Sequence, residues 1–187
     1  MRGVITGTVI QAMAVTVPVG LVCFIPASLV TGAAARLPTL PAASLVLEIT
    51  ESSVLARGGT ALSVLTRLRL KGFGLSIDDY GTGYSSMQQL ARVPFTELKI
   101  DRSFVHLAHQ RKHLEIILHT ALEMAHQLGI DSVAEGVELI EDWRVLQAFD
   151  CTIGQGWLIG QAMPGDALPN WIKKHDQRKA LLGGIKT

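Results

Sequence analysis

Acid is scarce where this chain begins. No Asp or Glu precedes Glu48, and from Gly3 to Ala35 there is no charge of either sign. Asparagine is nearly missing, Asn170 being the only one. Cysteine is limited to Cys23 and Cys151, in no metal-ligand or redox spacing. That excludes a disulfide scaffold or a zinc ribbon and fits a reducing compartment. Aromatic residues make up 5%, too few for base or sugar stacking to be the main theme. The net charge is +1 with Lys and Arg scattered, so no basic footprint for a nucleic-acid polymer exists. Hydrophobic residues at 48% against charged residues at 18% exclude a disordered chain. At 187 residues the length is that of one domain with a substantial core.

What is present divides near residue 40. Residues 1–40 form an apolar segment, uncharged between Arg2 and Arg36, and 41–187 an orderly domain. Three readings of the uncharged run stay open. Length suits a membrane-associating stretch over residues 3–35. Arg2 with small residues at Ala33–Ala35 suits a cleaved signal. Val15–Val19 and Leu21–Ile25 suit a buried strand, while Pro18, Gly20 and Pro26 argue against a plain spanning helix. Leu37–Pro41 reads as a linker.

From Leu45 onward, short apolar runs alternate with amphipathic ones. Leu45–Thr50, Phe73–Ile77, Glu97–Ile100, Ile130–Ala134 and Cys151–Gly154 predict strands. Ala61–Lys71 predicts a helix with Leu62, Leu65 and Leu68 on one face, stopped at Gly72. Leu114, Ile117, Leu118, Ala121, Leu122, Ala125 and Leu128 form a helical stripe ending at Gly129. Ser86–Arg92, Glu141–Phe149 and Asp166–Leu182 are further helix candidates. Strict alternation predicts an α/β protein of parallel strands with crossover helices.

The strand ends carry the chemistry. Glu48 and Glu51, Asp78 and Asp79, Lys99 and Asp101, Glu135 and Glu138, and Gln155 each close an apolar run. A charge ending one strand is ordinarily just a solvated terminus. A series of them predicts a shared rim, the layout of a (β/α) barrel active site. Residues two apart share a strand face, so Lys99 pairs with Asp101 and Glu48 with Thr50. Carboxylates without a supporting Cys or His cluster suit hard cations, Mg²⁺ or Mn²⁺. Two such ions about 3.5–4 Å apart are a usual clamp for in-line attack on a phosphodiester. Lys99 beside them offsets developing charge or holds the attacking water. The alternative for Asp78-Asp79 is a turn or cap pair before Gly81. The loop from Asp79 to Ser86 lacks the spacing of a nucleotide-binding loop and reads as a lid or a connecting turn. His109 and His113, and His119 and His126, are read as solvated positions on the long helix, and Trp143, Trp157 and Trp171 as packing anchors.

Leu-Glu-Ile-Thr-Glu-Ser (47–52), Ile-Asp-Asp-Tyr-Gly-Thr-Gly-Tyr-Ser-Ser (77–86), Leu-Lys-Ile-Asp-Arg-Ser-Phe-Val (98–105), Val-Ala-Glu-Gly-Val-Glu (133–138) and Gln-Gly (155–156) closely resemble the EAL domain. These are bacterial phosphodiesterases that open cyclic di-GMP to linear pGpG. The resemblance implies a TIM-type (β/α) barrel and a bacterial, cytoplasmic setting. It implies metal ligation by Glu48, Asp78 and Asp79, with Asp101 supporting the metal site. Glu135 would be the general base or a ligand of the second metal, and Lys99 would hold the nucleophilic water. Gln155 would support the site. Glu51 would pin the 79–86 loop, which contains Thr82 and Gly83 and in the family couples the site to dimerisation.

The chain also departs from that pattern. It has no Glu-Ala-Leu tripeptide, and Val15-Thr16-Val17-Pro18 stands where the family has a metal-binding Asn. Tyr80 replaces the usual Phe. A complete barrel takes about 250 residues, so the first strands and helices are expected to be missing. The sequence thus predicts an incomplete or divergent EAL domain, with cyclic di-GMP hydrolysis weakened. The alternatives are a binding module without hydrolysis and a truncated remnant.

Overall fold

The computed structural model describes residues 42–50, 58–80, 92–164, 167 and 170–174. Expectations for 1–40, Glu51, Thr82, Gly83, the rest of the 81–91 stretch and Cys23 lie outside the described residues. The candidate helix Asp166–Leu182 is described only in part, with 170–174 helical.

The elements run β1 (Val46–Thr50), α1 (Gly58–Leu70), β2 (Gly74–Tyr80), β3 (Glu97–Ile100), α2 (Arg102–Val105), α3 (Lys112–Leu128), β4 (Asp131–Ala134), α4 (Ile140–Ala148) and β5 (Ile153–Gly154). Short 3₁₀ turns occupy Ala42–Ser44 and Ala108–Gln110. The five strands form one sheet in sequence order, every neighbouring pair parallel. Parallel neighbours cannot be joined by tight hairpins, and helices lie in the described crossovers: α1 between β1 and β2, α2 and α3 between β3 and β4, and α4 between β4 and β5.

The sheet has two different faces. On one, Leu47 and Ile49 of β1, Leu75 and Ile77 of β2 and Leu98 of β3 pack with Leu65 and Leu68 of α1 and Ala125 of α3. Farther along that face, Ile100 and Ala134 pack with Leu118 and Leu122 of α3 and Leu146 of α4. The residues between them in sequence (Glu48, Ser76, Asp78, Lys99) must project to the other face, because strand side chains alternate. Glu48, Ser76, Glu97 and Lys99 are all buried. Across β1–β3 the face turned away from the helices is therefore polar and buried.

Helix ends follow the glycines. Gly129 caps α3 with φ of +67°, its N–H donating to the Ala125 and His126 carbonyls. Gly72, at φ of +93°, stands just past α1. Both conformations are open to glycine without a Cβ penalty.

Three expectations need correction. Ile117 and Leu128 are exposed, so the buried stripe of α3 is the narrower Leu114, Leu118, Ala121, Leu122 and Ala125. His109 is on the 3₁₀ turn rather than the long helix and is only 18% exposed. Its Nδ1 lies 2.6 Å from Oδ1 of Asp142, a wholly buried carboxylate that also accepts from the Leu107 N–H at 3.0 Å. Trp157 is 69% exposed and anchors no packing. Trp143 and Trp171 do lie in contact positions, over Gly154 and Gly160.

Candidate active site

The acidic pair lies inside a strand, not in a turn. β2 runs to Tyr80, three residues beyond the apolar run that predicted it, so the turn alternative for Asp78-Asp79 falls away. Between β2 and β3 the register advances from Ile77↔Leu98 to Tyr80↔Ile100, three residues on one strand against two on the other. This is a β-bulge at Asp78-Asp79. It breaks the alternation that would send neighbouring side chains to opposite faces. Tyr80 consequently returns to the helix side, where its hydroxyl lies 3.4 Å from Sδ of Met124 on α3.

Three carboxylates meet one ammonium. Lys99 Nζ lies 3.0 Å from Glu48 Oε1, 3.1 Å from Asp78 Oδ1 and 2.6 Å from Glu135 Oε1. These groups come from β1, β2, β3 and the residue just after β4. The Glu135 N–H donates to the Ile100 carbonyl at 3.0 Å, extending the β3–β4 ladder by one step and fixing where that carboxylate begins. Lys99 and Glu48 are only 5% and 6% exposed.

Burial and charge pull in opposite directions here. Burial alone would lower the Lys99 pKa, but hydrogen bonds and charge from Glu135 and Glu48 outweigh it, and the ammonium is held above its ordinary value. For Glu135, burial raises the carboxyl pKa, Lys99 works against it, and repulsion from Asp78 and Glu48 adds to the rise. Its pKa ends above the usual carboxylate value.

Asp101 and Gln155, also expected in the site, make other contacts. Asp101 follows β3 and caps α2, its Oδ1 accepting from the Ser103 N–H at 2.9 Å. Gln155 is exposed, and its backbone ties the turn after β4 to the turn after β5: its N–H donates to the Ala134 carbonyl and its carbonyl accepts from Val137. Asp79 is described only by its place in β2. Two buried polar residues on the face of Lys99 escaped the sequence reading. Glu97 is two before Lys99 and shares its face, a signal the period of two already contained. Ser76 pairs in register with both Glu48 and Glu97, and its buried Oγ has no hydrogen-bond partner among the described residues.

As donors, Glu48, Asp78 and Glu135 are hard oxygens of the type Mg²⁺ and Mn²⁺ take. The ammonium stands at their focus. Among the described residues no three His, Cys, Asp or Glu side chains are set at metal-ligand spacing. The donor chemistry fits a hard divalent cation, and Lys99 is the positive charge that balances it in this structure.

The sequence model of the EAL domain matches residues 29–162, and the chain belongs to that family. The cyclic di-GMP phosphodiesterase RocR of Pseudomonas aeruginosa is 38% identical over 125 residues, covering 67% of this chain and 32% of that protein. A second Pseudomonas aeruginosa cyclic di-GMP phosphodiesterase, PA2567, is 37% identical over 131 residues, 70% of this chain and 22% of the relative. The chain thus spans a third or less of the length of these curated relatives. Among solved structures, the MucR phosphodiesterase in complex with c-di-GMP superposes with a TM-score of 0.73 at 35% identity, covering 83% of this chain and 64% of that one. Klebsiella pneumoniae BlrP1 in a manganese/cy-diGMP complex gives a TM-score of 0.71 at 28% identity, covering 82% and 40%. The fold is accordingly the TIM-like barrel of EAL domains. Five adjacent parallel strands of it lie among the described residues.

Proposed function

We propose that this chain is a cyclic di-GMP-binding EAL domain whose reaction class is metal-dependent phosphodiester hydrolysis to pGpG, weakened relative to a complete domain. The observation that carries the reading is the buried meeting of Glu48, Asp78 and Glu135 at Lys99. Glu48, Asp78 and Asp79, with Asp101 through the oxygen not used in capping α2, are the residues to hold Mg²⁺ or Mn²⁺. Such ions, when bound, supply Lewis-acid stabilisation of the phosphate and lower the pKa of a bound water. Glu135, with a pKa raised by burial, is suited to accept a proton from the attacking water. Lys99 places a fixed positive charge beside that water. Gln155 supports the rim, and Glu51, Thr82 and Gly83 belong to the coupling between site and loop.

The weakened reading rests on a departure from the family pattern: the residues given hold no Glu-Ala-Leu motif and no carboxylate before Glu48. Removing a single electrostatic contributor to a transition state commonly costs on the order of 10²–10³ in rate. That same deficit favours a second reading, a module that binds cyclic di-GMP without hydrolysing it. Homodimerisation through the 79–86 loop, membrane contact through residues 3–35 and a bacterial cytoplasmic location complete the proposal. Among the described residues no helix is long and apolar enough to cross a membrane.

Calorimetric titration with cyclic di-GMP in Mn²⁺, together with chromatography of the products, tests both readings. Binding with slow pGpG release supports the enzyme, and binding without product supports the module. Absence of binding rejects both.

A further inference from the structure

The chain turns sharply just after Glu135. Gly136 has a φ of +65°, in the left-handed region. Across that turn lies the stem of Arg102, the first residue of α2. A Cβ placed on Gly136 would stand 2.6 Å from both Cβ and Cδ of Arg102, and Arg102 Cγ is in contact as well. Real Cβ contacts do not come that close, so the stem lies directly on the glycine. From there the guanidinium reaches over the turn to Glu138, Nη2 to Oε1 being 2.9 Å. The other flank is held by backbone: the Val137 N–H donates to the Gln155 carbonyl, and the Leu158 N–H donates to the Val137 carbonyl, each at 3.0 Å.

The Arg102–Glu138 pair is a poor stabiliser of the fold as a whole. Its side chains are 57% and 23% exposed, and exposed pairs contribute little. Its placement is what distinguishes it. Arg102 stands two residues after Ile100, whose carbonyl receives the Glu135 N–H, and three after Lys99, whose ammonium receives the Glu135 carboxylate. One short stretch of chain therefore grips the Glu135 turn at its backbone, its side chain and its far end.

We propose that Arg102 is a positioning residue for Glu135, a clamp that fixes the turn 135–138 so that the carboxylate is held at Lys99. The role of Glu135 rests on the function proposed above; the clamp itself does not. It is tested with Arg102→Ala and Arg102→Lys in the whole chain. In metal-free protein, amide hydrogen exchange at Glu135 and Val137 is expected to quicken about tenfold in Arg102→Ala, with Leu118 in α3 unchanged. Arg102→Lys, which keeps the stem and the charge, should recover most of the protection. With Mn²⁺ and cyclic di-GMP, Arg102→Ala should lower kcat about tenfold at unchanged KM. Parent-like exchange at Glu135 and Val137, or equal quickening at Leu118, overturns the clamp. So does parent-like kcat in Arg102→Ala. A parent chain without turnover, but with the expected exchange pattern, supports the clamp and removes only the enzymatic reading.

Discussion

Lys99 and Glu135 lie 2.6 Å apart, nitrogen to oxygen, and each raises the stakes for the other. The ammonium answers three carboxylates at once, and Glu135 is the nearest of them. Removing either partner leaves the remaining charges of a largely buried cluster unbalanced.

Lys99→Met should therefore destabilise the metal-free domain by about 3–5 kcal/mol, as expected when one member of a buried ion pair is deleted. The folded-state pKa of Lys99 is raised above 10.5, so its contribution is complete below pH 10.5 and is lost as pH rises through the folded value. Urea unfolding of parent and variant should show a wide gap at neutral pH that narrows only beyond the ordinary lysine range. Equal midpoints at neutral pH reject the ion-pair hub.

Glu135 predicts the opposite end of the pH scale. Its folded-state pKa is raised above 4.5, so the folded state holds the proton after the unfolded state has released it. The stability this group contributes is complete below pH 4.5 and is lost as pH rises through the folded pKa. In chelator, the stability of parent minus that of Glu135→Gln should fall as pH rises above 4.5. A difference that grows over that range contradicts the burial of this carboxyl.

A divalent cation should compete for the same carboxylates. Mn²⁺ is expected to raise the melting temperature of the parent and to leave Asp78→Asn unmoved. An equal rise in both proteins means that the ion sits elsewhere.

Asp142→Ala should lower stability by about 1–3 kcal/mol, because the Leu107 N–H and the His109 ring lose a buried acceptor. Leu107 holds φ of 61°, unfavourable for a leucine, and Asp142 is the group that fixes its N–H. Loss of the His109 Nδ1 proton resonance, with the α3 core intact, is the accompanying signature.

Much of this was legible in the sequence because it is local. Gly72 and Gly129 end helices for a reason that one residue carries. The strand runs showed themselves through their apolar content, and Lys99, Glu48, Asp78 and Glu135 through closing those runs. Asp142 was not legible: it binds His109 across 33 positions, and nothing near either residue encodes the meeting. Trp157 misled because indole size argues for burial, while the turn after β5 leaves it in solvent. Asp101 read as a partner of Lys99 by strand periodicity, but β3 stops at Ile100 and its Oδ1 is spent on a helix cap.

The bulge at Asp78-Asp79 makes chain length at that point as constrained as chemistry. Replacing either aspartate with a neutral residue alters the charge of the site while leaving the course of β2 intact. Deleting one of them restores strict alternation and would carry the phenol of Tyr80 off the Met124 helix and onto the polar face. A one-residue deletion in this strand would therefore damage both layers of the protein together, where two point substitutions would damage only one.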